Sequence, residues 1–237
     1  MAQRNHSQAA PTGRGKKIFF VGGGGGGKST MALLTASTAL ARGVIPHIYD
    51  MDRANMSLDR FFDGLIPTEN KIDRDSADPA IVPDFLEERV FSHDGNALID
   101  MGANLEDGLL YWVADRGRVV ADDIRIICPV QKIDGVSAIA RIYANTEGIK
   151  KILVLNPGAG RMAANARASE SYQALLAQGA NEVIFPSFDH TLVRIDRFGV
   201  RPDLMLEQGG LFDRQGAKNL LREVEGFYEP LPDFRIW

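Results

Sequence analysis

Apolar residues along the chain fall into short unbroken runs, separated by longer stretches in which they recur every three or four positions. The short runs predict β-strands at Lys17–Val21, Ile45–Tyr49, Ala97–Asp100, Ile124–Pro129, Lys151–Leu155 and Glu182–Phe185. None alternates strictly between polar and apolar residues, which is the pattern of strands covered by helices on both faces. The longer stretches predict helices over Ser29–Arg42, Val82–Val90, Glu106–Arg116, Gly135–Asn145, Ala163–Gln178 and Gly216–Gly226. In the last of these, Leu220, Leu221 and Val224 share one stripe. Strand and helix alternate, so the expected class is α/β: a doubly wound, mostly parallel sheet flanked by helices.

Composition narrows the picture. The chain has 237 residues, 45% hydrophobic and 24% charged, an ordinary globular balance. A chain of this length buries about 70–75% of its unfolded surface, enough for a core without staples. Residues 1–15 are polar and rich in Gly, Ala and Pro, and are expected to be a disordered tail before one domain over 16–237. Pro67 to Pro79 reads as a surface loop. There is no apolar run of 18 residues and no hydrophobic segment behind a charged start, so the expected localisation is cytoplasmic. The lone Cys128, within the apolar run Ile126–Val130, is expected to be a buried, inert thiol in a reducing compartment. A formal charge of −4 gives no global basic field to attract nucleic acid.

The most informative stretch is Gly22, Gly23, Gly24, Gly25, Gly26, Gly27, Lys28, Ser29, Thr30. It follows a buried-strand pattern and opens a helix pattern, and Gly22, Gly27, Lys28 and Ser29 satisfy GxxxxGK[ST] in that setting. Such a loop turns successive backbone N–H groups around phosphates and aims a helix N-terminus at them. Lys28 is then placed for the β- and γ-phosphates and the Ser29 hydroxyl for Mg²⁺. The remaining glycines of the run look unforced and cost order, which predicts a loop that is loose without nucleotide and tight with it.

Three further strand ends carry polar chemistry. Asp50 and Asp52 stand one residue apart after the second strand, where open α/β sheets bind ligands. Asp50 is a candidate for the Mg²⁺ water shell and Asp52 for orienting an attacking water; two solvated loop aspartates are the alternative. The strand Ala97–Asp100 ends in a carboxylate suited to Mg²⁺, and Gly102 behind it is a candidate hinge that follows the γ-phosphate. Asn156 ends another strand with an amide able to meet a purine edge, and Pro186 ends the next, where it can offer backbone to the base. A guanine reader of the NKxD type would need an aspartate at position 159, which is alanine, so adenine is favoured.

In order, these motifs resemble the ParA/MinD family of deviant phosphate-loop ATPases: the phosphate loop, a DxD after the second strand, a Walker-B aspartate, an Asn-ending strand and a Pro-ending strand. The resemblance covers roughly Lys16 to Thr191. The Asp-Met-Gly-Ala form at Asp100–Ala103 is similar to the conjugative-transfer and plasmid-stability branch, the TraL- and StbB-like proteins. It implies ATP with Mg²⁺ and a nucleotide-sandwich homodimer. It also implies slow hydrolysis coupled to positioning DNA, a membrane system or another cargo. Lys28 and Asp52 become the catalytic pair, and Ser29, Asp50 and Asp100 the metal residues. One departure matters. The family carries a signature lysine that reaches the partner's nucleotide, and its position here is Gly23; Lys132, Arg53 and Arg161 are candidate replacements by loop position.

Two other functions share these motifs. An ATP-responsive scaffold with impaired hydrolysis is favoured by Gly23. A kinase-like phosphotransferase would need a lid with arginines, and the candidate lid Asp63–Pro79 holds only Arg74. Arg194, Arg197, Arg201, Arg214, Lys218 and Arg222 cluster late in the chain, as a non-specific DNA contact or a solvated helix face. A protein cargo or adaptor is the other expected partner. The end Glu229–Trp237 has two prolines and no basic amphipathic helix, so no direct membrane insertion is expected; Phe234, Ile236 and Trp237 are expected to pack on the body.

Overall fold

The computed structural model describes residues 15–52, 58–62, 64–72, 81–156, 158, 160–187, 195 and 199–237, with the side chains of 117–119 outside the description. The expected tail, apart from Gly15, lies outside these residues, as do Arg53, Arg74, Arg194 and Arg197.

The six predicted strands form one sheet: β1 Lys17–Phe20, β2 His47–Met51, β3 Ala97–Met101, β4 Ile124–Val130, β5 Lys150–Leu155 and β6 Glu182–Ile184. Their order is β2-β3-β1-β4-β5-β6, and every neighbouring pair is parallel. Successive strand residues face opposite sides. Phe19, Ile99, Ile126, Cys128 and Leu153 therefore enter one core, while Ile18, Phe20, Leu98, Ile127 and Ile152 enter the other.

Helices cover both faces, as the lack of alternation predicts. The first core is closed by α2 (Ile81–Phe85, continuing as a π-turn through Leu86–Val90), α3 (Glu106–Val120), α4 (Asp134–Asn145), α5 (Arg161–Ala168) and α6 (Glu170–Ala177). The second is closed by α1 (Lys28–Ala41), α7 (Pro202–Gln208) and α8 (Leu211–Tyr228), with Met31, Leu34, Met205, Leu220 and Val224 at its centre. Each buried Leu or Val of such a stripe contributes about 1.5–3 kcal/mol.

The differences from the sequence pattern have local causes. β2 starts at His47 rather than Ile45, because Ile45 is 82% exposed and Pro46 has no N–H for a ladder. The single helix expected over Ala163–Gln178 breaks at Ser169, whose hydroxyl accepts from the Tyr172 N–H and caps a new helix. The short α7 was not predicted; it opens on Pro202 at its first position, where the missing N–H costs nothing.

Cys128 is fully buried, and burial pushes its thiol up to about 12, so it is inert. The C-terminal residues pack on the body as expected. Phe234 and Ile236 are buried, and Trp237 stands edge-on to Tyr228 with ring centroids 5.4 Å apart. Among the described residues no helix is long and apolar enough to cross a membrane.

Candidate functional site

β1 lies between β3 and β4. The chain leaves β1 for α1 on one face, and leaves β3 and β4 for α3 and α4 on the other. That divergence opens a crevice at the carboxyl ends of the strands, the place where such sheets bind ligands. Gly22–Gly27 crosses it. Gly25 and Gly27 have φ of 69° and 94°, in the left-handed region that favours glycine. A Cβ added at Gly26 would stand 2.9 Å from the Pro129 carbonyl oxygen. The expected run of unforced glycines is therefore corrected: of the six, Gly24 alone has neither a positive φ nor a tight neighbour, a Cβ there standing 4.0 Å from Ala103 Cβ.

The loop walls one side of a cavity of about 510 Å³, formed by Gly24–Thr30 and closed by Met51, Asp52, Gly102–Leu105 and Gln131. Gly27 is the N-cap of α1 and carries no side chain, so the first N–H groups of the helix end beside the cavity without a side-chain cap. Lys28 is only 7% exposed. Its Nζ donates to the Gly22 and Gly23 carbonyls at 2.9 and 3.1 Å. Burial lowers its pKa, against the upward pull of Asp100, Asp52 and Glu106.

Asp100, the next-to-last residue of β3, is fully buried and not itself part of the cavity wall, and neither carboxylate oxygen has a hydrogen-bond partner. Burial pushes its pKa up to about 7; the nearby Ser29 hydroxyl and Lys28 oppose the rise, and Asp50 and Asp52 add to it. Ser29 thus lies near enough to act on the carboxylate while falling outside hydrogen-bonding geometry. Asp50 is equally buried, and burial raises its pKa against the pull of three backbone hydrogen bonds. Its Oδ1 accepts from the Asp52 N–H, and its Oδ2 from the Leu58 and Asp59 N–H groups, all at 3.1 Å. It ties down the backbone on both sides of 53–57, and Asp52 itself lines the cavity.

The other candidates sit apart. Asn156 is nearly buried, its Oδ1 accepting from the Gly158 N–H at 3.1 Å. Its amide nitrogen lies 3.0 Å from a Cβ built on Gly27, so it backs the phosphate loop and does not line the cavity. Pro186 follows β6, half-buried and also off the cavity wall. Gly102, taken as a hinge, has a packing reason as well: a Cβ there would meet the Met51 carbonyl oxygen at 2.7 Å.

Sequence reading missed Gln131, whose side-chain nitrogen lies 3.2 Å from a Cβ built on Gly27, and Asn104, which lines the cavity with φ 67°. A polar residue ending the apolar run of β4 was the available signal for Gln131. Of the late basic cluster, Arg201 proves to be buried, paired with Asp203 at 2.9 Å and stacked over the Phe62 ring at 5.0 Å. Amide donors, one ammonium group and an unpartnered carboxylate beside a hydroxyl suit a polyanion carrying a divalent cation.

No family model matches the chain, and no curated protein does. Among solved structures, the ATP complex of a single-residue variant of McdA from Cyanothece is similar over 93% of this chain and 97% of that one, with 14% identity and a TM-score of 0.52. Apo McdA of Cyanothece (92% of this chain, all of that one, 14% identity, TM-score 0.48) and the MinD cell division protein of Aquifex aeolicus (89% and 97%, 18% identity, TM-score 0.48) are more distant in shape. The first likeness shows the fold alone: a parallel six-stranded sheet with helices on both faces, as in McdA.

Proposed function

We propose that the cavity binds ATP with Mg²⁺ and hydrolyses it slowly, and that nucleotide state switches the chain between a monomer and a homodimer that positions a cargo. The observation that carries this reading is Asp100. A fully buried carboxylate without a donor, beside Ser29 and under a phosphate-type loop, is a costly arrangement that a divalent cation relieves. That a protein of the same fold has been solved with ATP supports the choice of nucleotide.

In this reading Lys28 and the first N–H groups of α1 hold the phosphates, and Ser29 and Asp100 hold the metal. Bound Mg²⁺ neutralises phosphate charge and polarises the terminal phosphorus. Asp52, on the cavity wall, orients a water for attack. Asp50 fixes the backbone that carries Asp52, and its Oδ1, which accepts a single N–H, keeps a lone pair for the water shell of the metal. Asn156 and Pro186, at the ends of β5 and β6, flank the side on which adenine would lie.

The test is a molar mass by light scattering without nucleotide, with Mg²⁺ and ADP, and with Mg²⁺ and a non-hydrolysable ATP analogue. A dimer with the analogue alone supports the switch; the same mass in all three sinks it. Plasmid DNA or a conjugation component is the cargo suggested by the Asp100–Ala103 motif. Direct DNA binding through the exposed late basic residues would weaken steeply with salt. Affinity that is flat between low and moderate salt points to a protein adaptor instead. The second reading, an ATP-responsive scaffold without turnover, is favoured by Gly23; single-turnover phosphate release separates the two.

A further inference from the structure

We propose that Lys132, in the turn between β4 and α4 of the same chain, supplies over the phosphate loop the cation that position 23 cannot carry. This rests on the nucleotide reading above and extends it, because the charge then comes from within the subunit and not from a partner.

Two contacts carry the inference. At Gly23, an added Cβ would stand 2.5 Å from Gly135 Cα and 3.2 Å from its nitrogen. Both obstacles are backbone at the start of α4, so no rotamer change relieves them, and a lysine at this position would have to push the helix away. A lysine at 23 is thus excluded by packing in this chain, beyond being merely missing. At Gly25, a Cβ would stand 3.2 Å from Lys132 Nζ and 3.6 Å from Lys132 Cε. The ammonium therefore lies directly against a residue of the cavity wall.

The same helix start makes both contacts. The Gly135 N–H donates to the Lys132 carbonyl at 3.3 Å, and the Val136 N–H to the Ile133 carbonyl at 2.9 Å. The turn that brings Gly135 against Gly23 fixes the main chain from which Lys132 reaches over the loop. The Lys132 side chain is exposed and takes part in no hydrogen bond or ion pair among the described residues, so its charge is available to a ligand. Lys132 is not itself among the lining residues but meets one of them, Gly25; Arg161, exposed at the start of α5, is also off the cavity wall.

Charge balance gives Lys132 something to do. Asp100, Asp52 and Glu106 all act on Lys28, and Asp50 on Asp100, so carboxylates surround the one ammonium group of the loop. A nucleotide tail brings further negative charge. A second ammonium near Gly25 offsets it, and its effect is larger for a triphosphate than for a diphosphate.

The test is isothermal titration of the full chain, Lys132→Ala and Lys132→Arg with Mg²⁺ and each of three probes: a non-hydrolysable ATP analogue, ADP and inorganic tripolyphosphate. Unfolding temperatures without probe check that the variants fold. The expected result is a loss of roughly 10- to 100-fold for the analogue and tripolyphosphate in Lys132→Ala, as for a hydrogen bond to a charged group. The loss for ADP should be clearly smaller, and Lys132→Arg should recover most of the affinity. Equal affinity of wild type and Lys132→Ala for both triphosphates overturns the role of Lys132 and leaves the nucleotide reading intact. Binding of tripolyphosphate but not of the adenosine probes overturns the nucleotide reading and leaves Lys132 tested. If the wild type binds no probe, both fall.

Discussion

Asp50 and Asp100 are register partners on the adjacent parallel strands β2 and β3, both fully buried, yet one accepts three backbone N–H groups and the other accepts none. Two carboxylates that look alike in the sequence thus do opposite work. The first is met within the protein by the N–H groups of Asp52, Leu58 and Asp59. The second has no hydrogen-bond partner on either oxygen.

Asp100→Asn tests that dependence. The substitution keeps the shape and removes a carboxylate that is charged above its raised pKa of about 7, so above that pH the ligand-free protein should gain about 1–3 kcal/mol of stability. In the same variant Mg²⁺ should no longer raise the melting temperature in the presence of ATP. Calorimetry with and without metal checks both. A variant less stable than wild type, or one still responsive to Mg²⁺, contradicts the assignment of Asp100 as the metal-holding carboxylate.

Asp50→Ala should behave in the reverse way. It strands three N–H groups in or near the interior, and each buried group without a partner costs about 1–3 kcal/mol, so the ligand-free protein should lose stability outright. Because Asp50 anchors Asp52, Leu58 and Asp59, hydrogen exchange should rise first at those amides while β4 and β5 stay protected. Unchanged exchange there would mean that these three amides are protected by other contacts.

These two aspartates also mark what the sequence could disclose. The strands, their order of motifs and the glycine loop were legible because each depends on neighbours along the chain. The satisfaction of Asp50 was not, since two of its donors, the Leu58 and Asp59 N–H groups, belong to no motif that the sequence marks. The reason for Gly23 was equally hidden, since its obstacle, Gly135, opens a helix far along the sequence. Ser169 shows the opposite failure: a cap signal was present at the split between α5 and α6, and a continuous apolar stripe obscured it.

Arg201 was grouped with exposed basic residues, and the structure withdraws it. Its guanidinium meets the Asp203 carboxylate through two hydrogen bonds, with both side chains about nine-tenths buried, and lies over Phe62. Arg201→Ala should therefore cost about 3–5 kcal/mol by leaving Asp203 buried and alone. The slope of any DNA affinity against salt should not change. Arg222, exposed on α8, should show the converse: little change in melting temperature and a shallower salt slope on substitution by Ala, if DNA is bound directly. A shallower slope for Arg201→Ala in folded protein would return that residue to the contact surface.

The last expectation concerns the end of the chain, which closes the end of the sheet opposite the cavity. Lys16 Nζ donates to the Pro232 and Arg235 carbonyls at 2.8 and 2.9 Å, and the Asn96 amide to the Ile236 carbonyl at 3.0 Å. Asp233 meets Lys150 at 2.8 Å and Arg125 at 3.7 Å. The Lys150 hydrogen bond, aided by the charges of Lys150, Arg125 and Lys16, holds the Asp233 pKa below the usual carboxylate value. A depressed carboxylate adds stability that is fully present above the unfolded pKa of about 3.9 and is lost as pH falls through the lower folded value. Because Asp233 is half-exposed, its contribution should stay below about 1 kcal/mol and shrink in high salt. Asp233→Asn should thus melt slightly below wild type at pH 7, and the gap should narrow only below about pH 4. Trp237, resting on Tyr228, reports release of the segment by fluorescence once Trp112 is replaced by Phe. No gap at pH 7 would mean that the tail is held by its apolar residues and the Lys16 and Asn96 hydrogen bonds alone, and a gap that closes at about pH 6 or persists unchanged to the lowest pH at which both fold would mean that the Asp233 charge is not its source.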